Sequence, residues 1–240
     1  SYNPKKVAVD DAGNIYIIGE GVFDGVIQLQ SNGDFQGYYS TNDVQLTLRQ
    51  QLENLIFTDE QLEQTSDRNP ITFSNIFVDK DNRVYSTSIG DNIDNLKKHN
   101  TDGSSSIDTN YGVDLELNDV YTNEDGIMFA SSQTGSIFVF TSDGWFIFLF
   151  GTPEDNKDVA GFYDNLQSIA VDSGGTIWTL DENNASLQSF TPTEYSTKIY
   201  EALTLYKSGK YDEAVIVWEE VLKLNQLSVL AHNEIGRNLF

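Results

Sequence analysis

Two histidines and no cysteine set narrow limits on the chemistry this chain can carry. Without thiols there is no disulfide, no thiolate metal site and no cysteine nucleophile. His99 stands beside Lys97 and Lys98 next to a hairpin signal, and His232 lies on the last helix-forming stretch. Neither has a Ser or Cys elbow near it, and no Gly-x-Ser-x-Gly run offers an acyl-transfer nucleophile. Both histidines read as surface or packing residues. Oxygen ligands are more plentiful: Asp79, Asp81 and Asn82 form one close group, and Asp91, Asn92, Asp94 and Asn95 another. Calcium is the ion that such groups could hold, but it usually gathers about six to eight oxygens, and the Asp-x-Asp-x-Asn-Gly loop with its distant Glu is absent. Asx side chains closing hairpins are the leading reading of both groups. Gly174-Gly175 joins two strand-like runs rather than a strand and a helix, so it is not a phosphate loop.

The charge balance removes further classes of function. Among 240 residues, 37 are acidic and 14 basic, a formal net charge of −23. Such a surface repels nucleic-acid phosphates and anionic lipid headgroups. No apolar run approaches the roughly 18 residues of a spanning helix, so direct membrane insertion by this segment is not expected. The lack of cysteine fits a protein exported by a bacterium. The start at Ser1, without a charged and apolar leader, fits a cytosolic chain or one already trimmed.

The elements that would position these residues come from internal repetition. Lys6-Val7-Ala8-Val9-Asp10 followed by Gly13-Asn14-Ile15-Tyr16 returns as Asn75-Ile76-Phe77-Val78-Asp79 with Asn82-Arg83-Val84-Tyr85, and again as Ser168-Ile169-Ala170-Val171-Asp172 with Gly175-Thr176-Ile177-Trp178. A third, degenerate copy runs from Asn118 to Phe129 and is aligned from Asn118, which costs it the leading aspartate and one turn residue. Behind each strand pair, Asn32-Gly33, Asp102-Gly103 and Asp143-Gly144 mark a second hairpin. Four short strands in a unit of about 40 residues make one antiparallel propeller blade. Ile137 to Phe140 and Trp145 to Phe150 are apolar on both faces, as expected for strands held between neighbouring blades. Residues 44 to 66 interrupt the pattern with apolar positions at 48, 52, 55 and 56 and a Thr58–Gln61 capping box, which predicts a helical insertion. From Glu194 the apolar period becomes helical.

The recurring Val-Asp, Gly-Asn, Ile-Tyr and later Asp-Gly pattern over residues 6 to 190 resembles the NHL repeat. Glu201 to Ala214, with its Gly209-x-Tyr211-x-x-Ala214 turn, and then Trp218, Val221 and Leu222, resemble a tetratricopeptide repeat. Gln226 stands where that family usually has proline. The fold class expected is therefore mainly β: a partial NHL-type propeller of four-stranded blades over residues 1–193, followed by a truncated tetratricopeptide-like helical hairpin over 194–240. The order of parts is similar to a group of membrane-tethered Gram-positive surface proteins, and the resemblance implies a piece of a longer extracytoplasmic protein. Further blades before this segment and further helical repeats after it are part of that expectation, and open blade edges lead us to expect self-association.

The same resemblance sets the functional expectation. A lactonase-type propeller would hold a calcium ion in its central channel with Glu, Asn and Asp from different blades. Asn75 and Asn118 stand at innermost-strand starts in two units, with Lys6 and Ser168 at the equivalent places in the others. A lysine is a poor neighbour for a cation. The leading expectation is a non-catalytic binding scaffold without a cofactor, its partner a protein such as a solute transporter or another cell-surface component. The alternative is a calcium-dependent lactonase or lyase.

Overall fold

The computed structural model describes residues 3–20, 25–40, 72–90, 95–109, 115–153 and 159–238. The helical insertion expected over 44–66, and Asp91, Asn92 and Asp94, lie outside them. Each repeat folds as a meander of antiparallel strands. Blade one holds β1 (Asn3–Val9), β2 (Ile15–Glu20), β3 (Ile27–Leu29) and β4 (Phe35–Tyr38), and blade two holds β5 (Thr72–Val78), β6 (Val84–Ile89) and β7 (Leu96–Lys98). Blade three holds β8 (Leu117–Thr122), β9 (Met128–Ser132), β10 (Ile137–Phe140) and β11 (Phe146–Phe150). A two-residue parallel pair, β12 (Thr152–Pro153) and β13 (Phe162–Tyr163), leads to blade four, with β14 (Leu166–Val171), β15 (Ile177–Asp181) and β16 (Ser186–Phe190).

The blades stand side by side as a partial β-propeller. The first strands β1, β5, β8 and β14 are spatial neighbours in that order, and β5, β8 and β14 also meet the second strand of the blade before them. Three apolar clusters fill the gaps. Tyr16, Ile18 and Val26 meet Phe73, Ile76 and Val84 between blades one and two. Tyr85 and Leu96 meet Leu117, Val120 and Met128 between blades two and three. Phe129, Ile137 and Val139 meet Leu166, Ile169 and Ile177 between blades three and four.

Every blade turns its first corner with the same device. Asp10, Asp79, Asn123 and Asp172 each accept, through one side-chain oxygen, the amide four residues on, at 2.9 to 3.0 Å. The residue three after each has positive φ: Gly13 at 85°, Asn82 at 62°, Gly126 at 80° and Gly175 at 80°. Only glycine and, less often, asparagine take that conformation without strain. The second oxygen of each aspartate accepts from an aromatic ring donor six residues on: Tyr16 at 3.1 Å, Tyr85 at 3.1 Å and Trp178 at 3.0 Å. At Asp10 burial works against the carboxylate, but bonds from Asn14 and Tyr16 outweigh it and hold the pKa below the ordinary range. In blade three the ring is Phe129, which has nothing to donate, and there the aspartate is replaced by Asn123.

Some expectations need correction. The third repeat keeps its full turn, because Asn123 and not an earlier residue closes it. Blades two and four show three strands rather than four among the described residues. In blade two the fourth place is reduced to an isolated bridge between His99 and Ser105 and a bond from the Ser106 amide to the Lys98 carbonyl. In blade four, Pro192 and the helix cap Thr193 draw the chain away after Phe190. The aromatic run of β11 is not sandwiched throughout, since Trp145, Phe146 and Leu149 are exposed.

The C-terminal part is α1 (Glu194–Lys207), α2 (Tyr211–Leu224) and α3 (Val229–Arg237). Thr193 Oγ1 accepts from the Ser196 amide at 3.3 Å and starts α1. Gly209, with φ of 76°, lets α2 fold back on α1. Ile199, Ala202, Ala214, Trp218 and Val221 form the seam and continue directly into the blade-three and blade-four core. The helices are thus packed on the sheet rather than hung from a linker. No helix among the described residues is long and apolar enough to cross a membrane.

Candidate functional site

Ligand sites in repeat rings of this kind lie where the first strands converge, so the hub is the place to look. Each first strand carries a bulge against its second strand at the same relative place: between Pro4 and Lys6, Phe73 and Asn75, Leu117 and Asp119, and Leu166 and Ser168. A bulge re-aims the side chains around it. Counted back from the turn residues Asp10, Asp79, Asn123 and Asp172, the equivalent hub residues are Lys6, Asn75, Asp119 and Ser168. Asn118 is therefore the bulge residue of blade three, and Asp119 stands at the position that alignment from Asn118 assigned one residue too early.

Asp119 is the point on which the others meet. Asn75 donates through Nδ2 to Asp119 Oδ1, and Ser168 donates through Oγ to Oδ2 at 2.7 Å. The Ile169 amide reaches Oδ2 at 2.9 Å and the Val120 amide reaches Oδ1 at 2.8 Å. One carboxylate thus ties blades two, three and four together. Burial pushes its pKa above the ordinary range, while Ser168, the Ile169 amide, the positive charge of Lys6 and the Val120 amide pull it back. Lys6 itself is exposed on β1. Asn118 faces a different set of partners: its Nδ2 donates to the Leu166 carbonyl at 2.7 Å, and its Oδ1 accepts from Ser131 Oγ at 3.0 Å.

The other candidates are occupied by structural work. Asp79 and Asp81 hold Arg83 at 3.4 and 2.6 Å as well as closing their turn. Asn95 donates to the Ser88 and Gly90 carbonyls, each at 3.0 Å, and is buried. His99 is buried, with Nε2 2.7 Å from Ser86 Oγ and Nδ1 3.0 Å from the Gly103 carbonyl, and Tyr39 packs edge-on against its ring. Burial takes its pKa down to about 4. His232 is exposed and its Nε2 lies 3.0 Å from the Gln226 carbonyl, so it does not fill a packing position. Among the described residues no three His, Asp or Glu side chains gather as a metal site. The remaining buried carboxylates, Asp181 and Glu234, are also engaged: Asp181 by the Asp164 and Asn184 amides at 2.8 and 2.9 Å, Glu234 by Arg237 at 2.9 Å.

Sequence reasoning missed Asp119. Anchoring the third repeat on Asn123 and Gly126, whose types fit the turn, would have found it.

No protein-family model matches the sequence, and no curated protein matches it. Solved structures do. A protein of unknown function from Bacteroides caccae superposes with a TM-score of 0.53 at 10% identity, over 81% of this chain and 58% of that one. A catalytically inactive virginiamycin B lyase from Staphylococcus aureus, solved with quinupristin, superposes with a TM-score of 0.50 at 13% identity, over 80% and 57%. The chain spans a little under three fifths of the length of each. At these identities the likeness is one of fold, the β-propeller.

Proposed function

We propose that this chain is the binding segment of a non-catalytic scaffold, an NHL-type propeller carrying tetratricopeptide-like helices. It works outside the cytoplasm on a membrane-tethered surface protein and recruits a protein partner, a solute transporter being the first candidate. One observation carries the reading: the buried carboxylates and histidine among the described residues, Asp119, Asp181, Glu234 and His99, are each engaged in bonds that hold the fold. A catalytic group needs to be poised toward a substrate rather than consumed by its own scaffold. The surface supports recruitment instead, because Leu224, Leu227 and Val229 expose an apolar corner between α2 and α3.

The test is photo-crosslinking of the full-length protein in its own cells, with a photoreactive residue at Leu227. Recovery of one recurrent membrane or surface protein is the expected result. Diffuse crosslinking, together with calcium binding to the purified chain or turnover of a lactone or streptogramin, replaces the scaffold with the lyase reading.

A further inference from the structure

The four blades differ at their outer edges. On blade one β4 lies antiparallel on β3, and on blade three β11 lies antiparallel on β10. Blade two keeps a trace of this strand in the bridge from His99 to Ser105. On blade four β16 pairs with β15 alone, and no described residue adds to its other side. The bonds from the Asp172 amide to the Thr176 carbonyl and from the Glu182 amide to the Asn165 carbonyl turn Trp178 and Leu180 of β15 toward β14 and leave Ile177, Thr179 and Asp181 facing β16. Ile177, Thr179 and Asp181 are thus the residues bonded to Phe190, Gln188 and Ser186, so Leu187 and Ser189 direct their backbone groups outward. Such a row of unpaired amides and carbonyls is a template for another strand.

A second feature sits at one end of that edge. Phe148 and Phe150 of β11, Phe190 of β16, and Tyr195 and Tyr200 of α1 line a groove of about 370 Å³. It opens beside Phe190, where the first residue of a strand antiparallel to β16 would lie. The charge around the edge has one sign: Glu182 and Glu194 are exposed at its two ends, and the nearest lysine on α1, Lys198, is already paired with Glu201 and Glu220 at 3.0 and 2.8 Å.

We propose that the outer edge of β16 is a docking slot for an extended, cationic peptide, which adds to blade four as its fourth strand and places an N-terminal aromatic residue in the Phe148–Phe190–Tyr195 groove. The sibling blades supply the strand direction, the ladder supplies the hydrogen bonds, the groove supplies the anchor and the net charge of −23 supplies the sign of the partner. The inference rests on the scaffold reading and names the chemistry of its partner.

The probe is acetyl-Phe-Lys-Val-Lys-Val-Lys-amide, titrated into the 240-residue chain with amide hydrogen exchange read by NMR or mass spectrometry. Binding should slow exchange at Leu187 and Ser189 by about tenfold or more at saturation. The same peptide with the backbone nitrogens of its first two lysines methylated loses the amides that would face β16, and the version with Glu for Lys reverses its charge. Each should bind about tenfold more weakly or worse. Equal binding by the methylated peptide, protection mapping to another edge, or these two amides already protected in the free chain would each overturn the proposal. Crosslinking of a recurrent partner through Leu227 that continues when the peptide fails removes this slot alone, whereas loss of any partner removes the scaffold.

Discussion

A carboxylate that four donors share is worth most when one tries to remove it. Asp119→Ala leaves Asn75, Ser168 and two backbone amides without their acceptor at a place closed to water. The cost expected is about 3 kcal/mol, read as a lower urea midpoint. Lys6→Met should leave the fold intact and raise the Asp119 pKa further, because the positive charge of Lys6 now pulls it down; a carboxyl-carbon NMR titration reads the direction. His99 gives a pH prediction with a definite sign. Its pKa is about 4 in the fold against an ordinary value of 6.5, so the unfolded chain binds the extra proton. Stability from this group is full above about pH 6.5 and is lost as pH falls toward about 4, close to 3 kcal/mol in all. Carboxylates titrate in part of the same window, so the comparison is with His99→Gln. Between about pH 7 and about pH 4.5 the natural chain should lose about 2 kcal/mol more than the variant; equal losses would mean that His99 is already charged or accessible in the fold.

At the scale of one hairpin, the pairing of turn residue and ring is the feature to test. Asp10 with Tyr16, Asp79 with Tyr85 and Asp172 with Trp178 each satisfy a second carboxylate oxygen, and Asn123 with Phe129 is the apolar version. Asn123→Asp alone should cost about 1 kcal/mol, since Phe129 has no donor for the second oxygen of the new carboxylate. Phe129→Tyr alone should cost a similar amount by burying an unpaired hydroxyl. Together they rebuild the bond seen in the sibling blades, so the double variant should be less destabilised than the sum by about 1 kcal/mol or more. Additive costs would show that the rings pack without regard to the turn. The same elements mark what the sequence could disclose. Turns, strand pairs and helices are written locally, in Gly and Asx positions and in apolar periods, and these were legible. The hub was not, because a one-residue choice of alignment at Asn118 moves Asp119 out of the channel position, and only the turn bond at Asn123 fixes the count. The three-stranded fourth blade was also hidden, since Pro192 and Thr193 decide locally for a helix where repetition alone calls for a strand.

At the scale of the whole molecule, the two outermost faces resemble the faces that are buried between blades. Val7 and Val9 point outward from blade one, and Trp178, Leu180 and Leu187 from blade four, with Leu187 65% exposed. Inside the chain, faces of this kind pack blade upon blade, so a second copy offers each face a ready complement. The contact expected is head to tail, with the blade-four face of one molecule on the blade-one face of the next. Each copy carries −23, so repulsion opposes the contact and salt should strengthen it. Sedimentation velocity should show mass rising with concentration, and rising further when salt goes from about 0.05 to about 0.5 M. Leu180→Glu with Leu187→Glu disables one face, and Val7→Glu with Val9→Glu disables the other. These changes lie on the surface and should alter stability by only about 0.5 kcal/mol each. Either variant alone should sediment as a monomer, yet a mixture of the two should form heterodimers, because each keeps the face the other lacks. If the blade-one variant associates on its own, the blade-four faces are meeting each other and the head-to-tail geometry is wrong. If the natural chain stays monomeric at every concentration and salt, these apolar faces do not drive association at all.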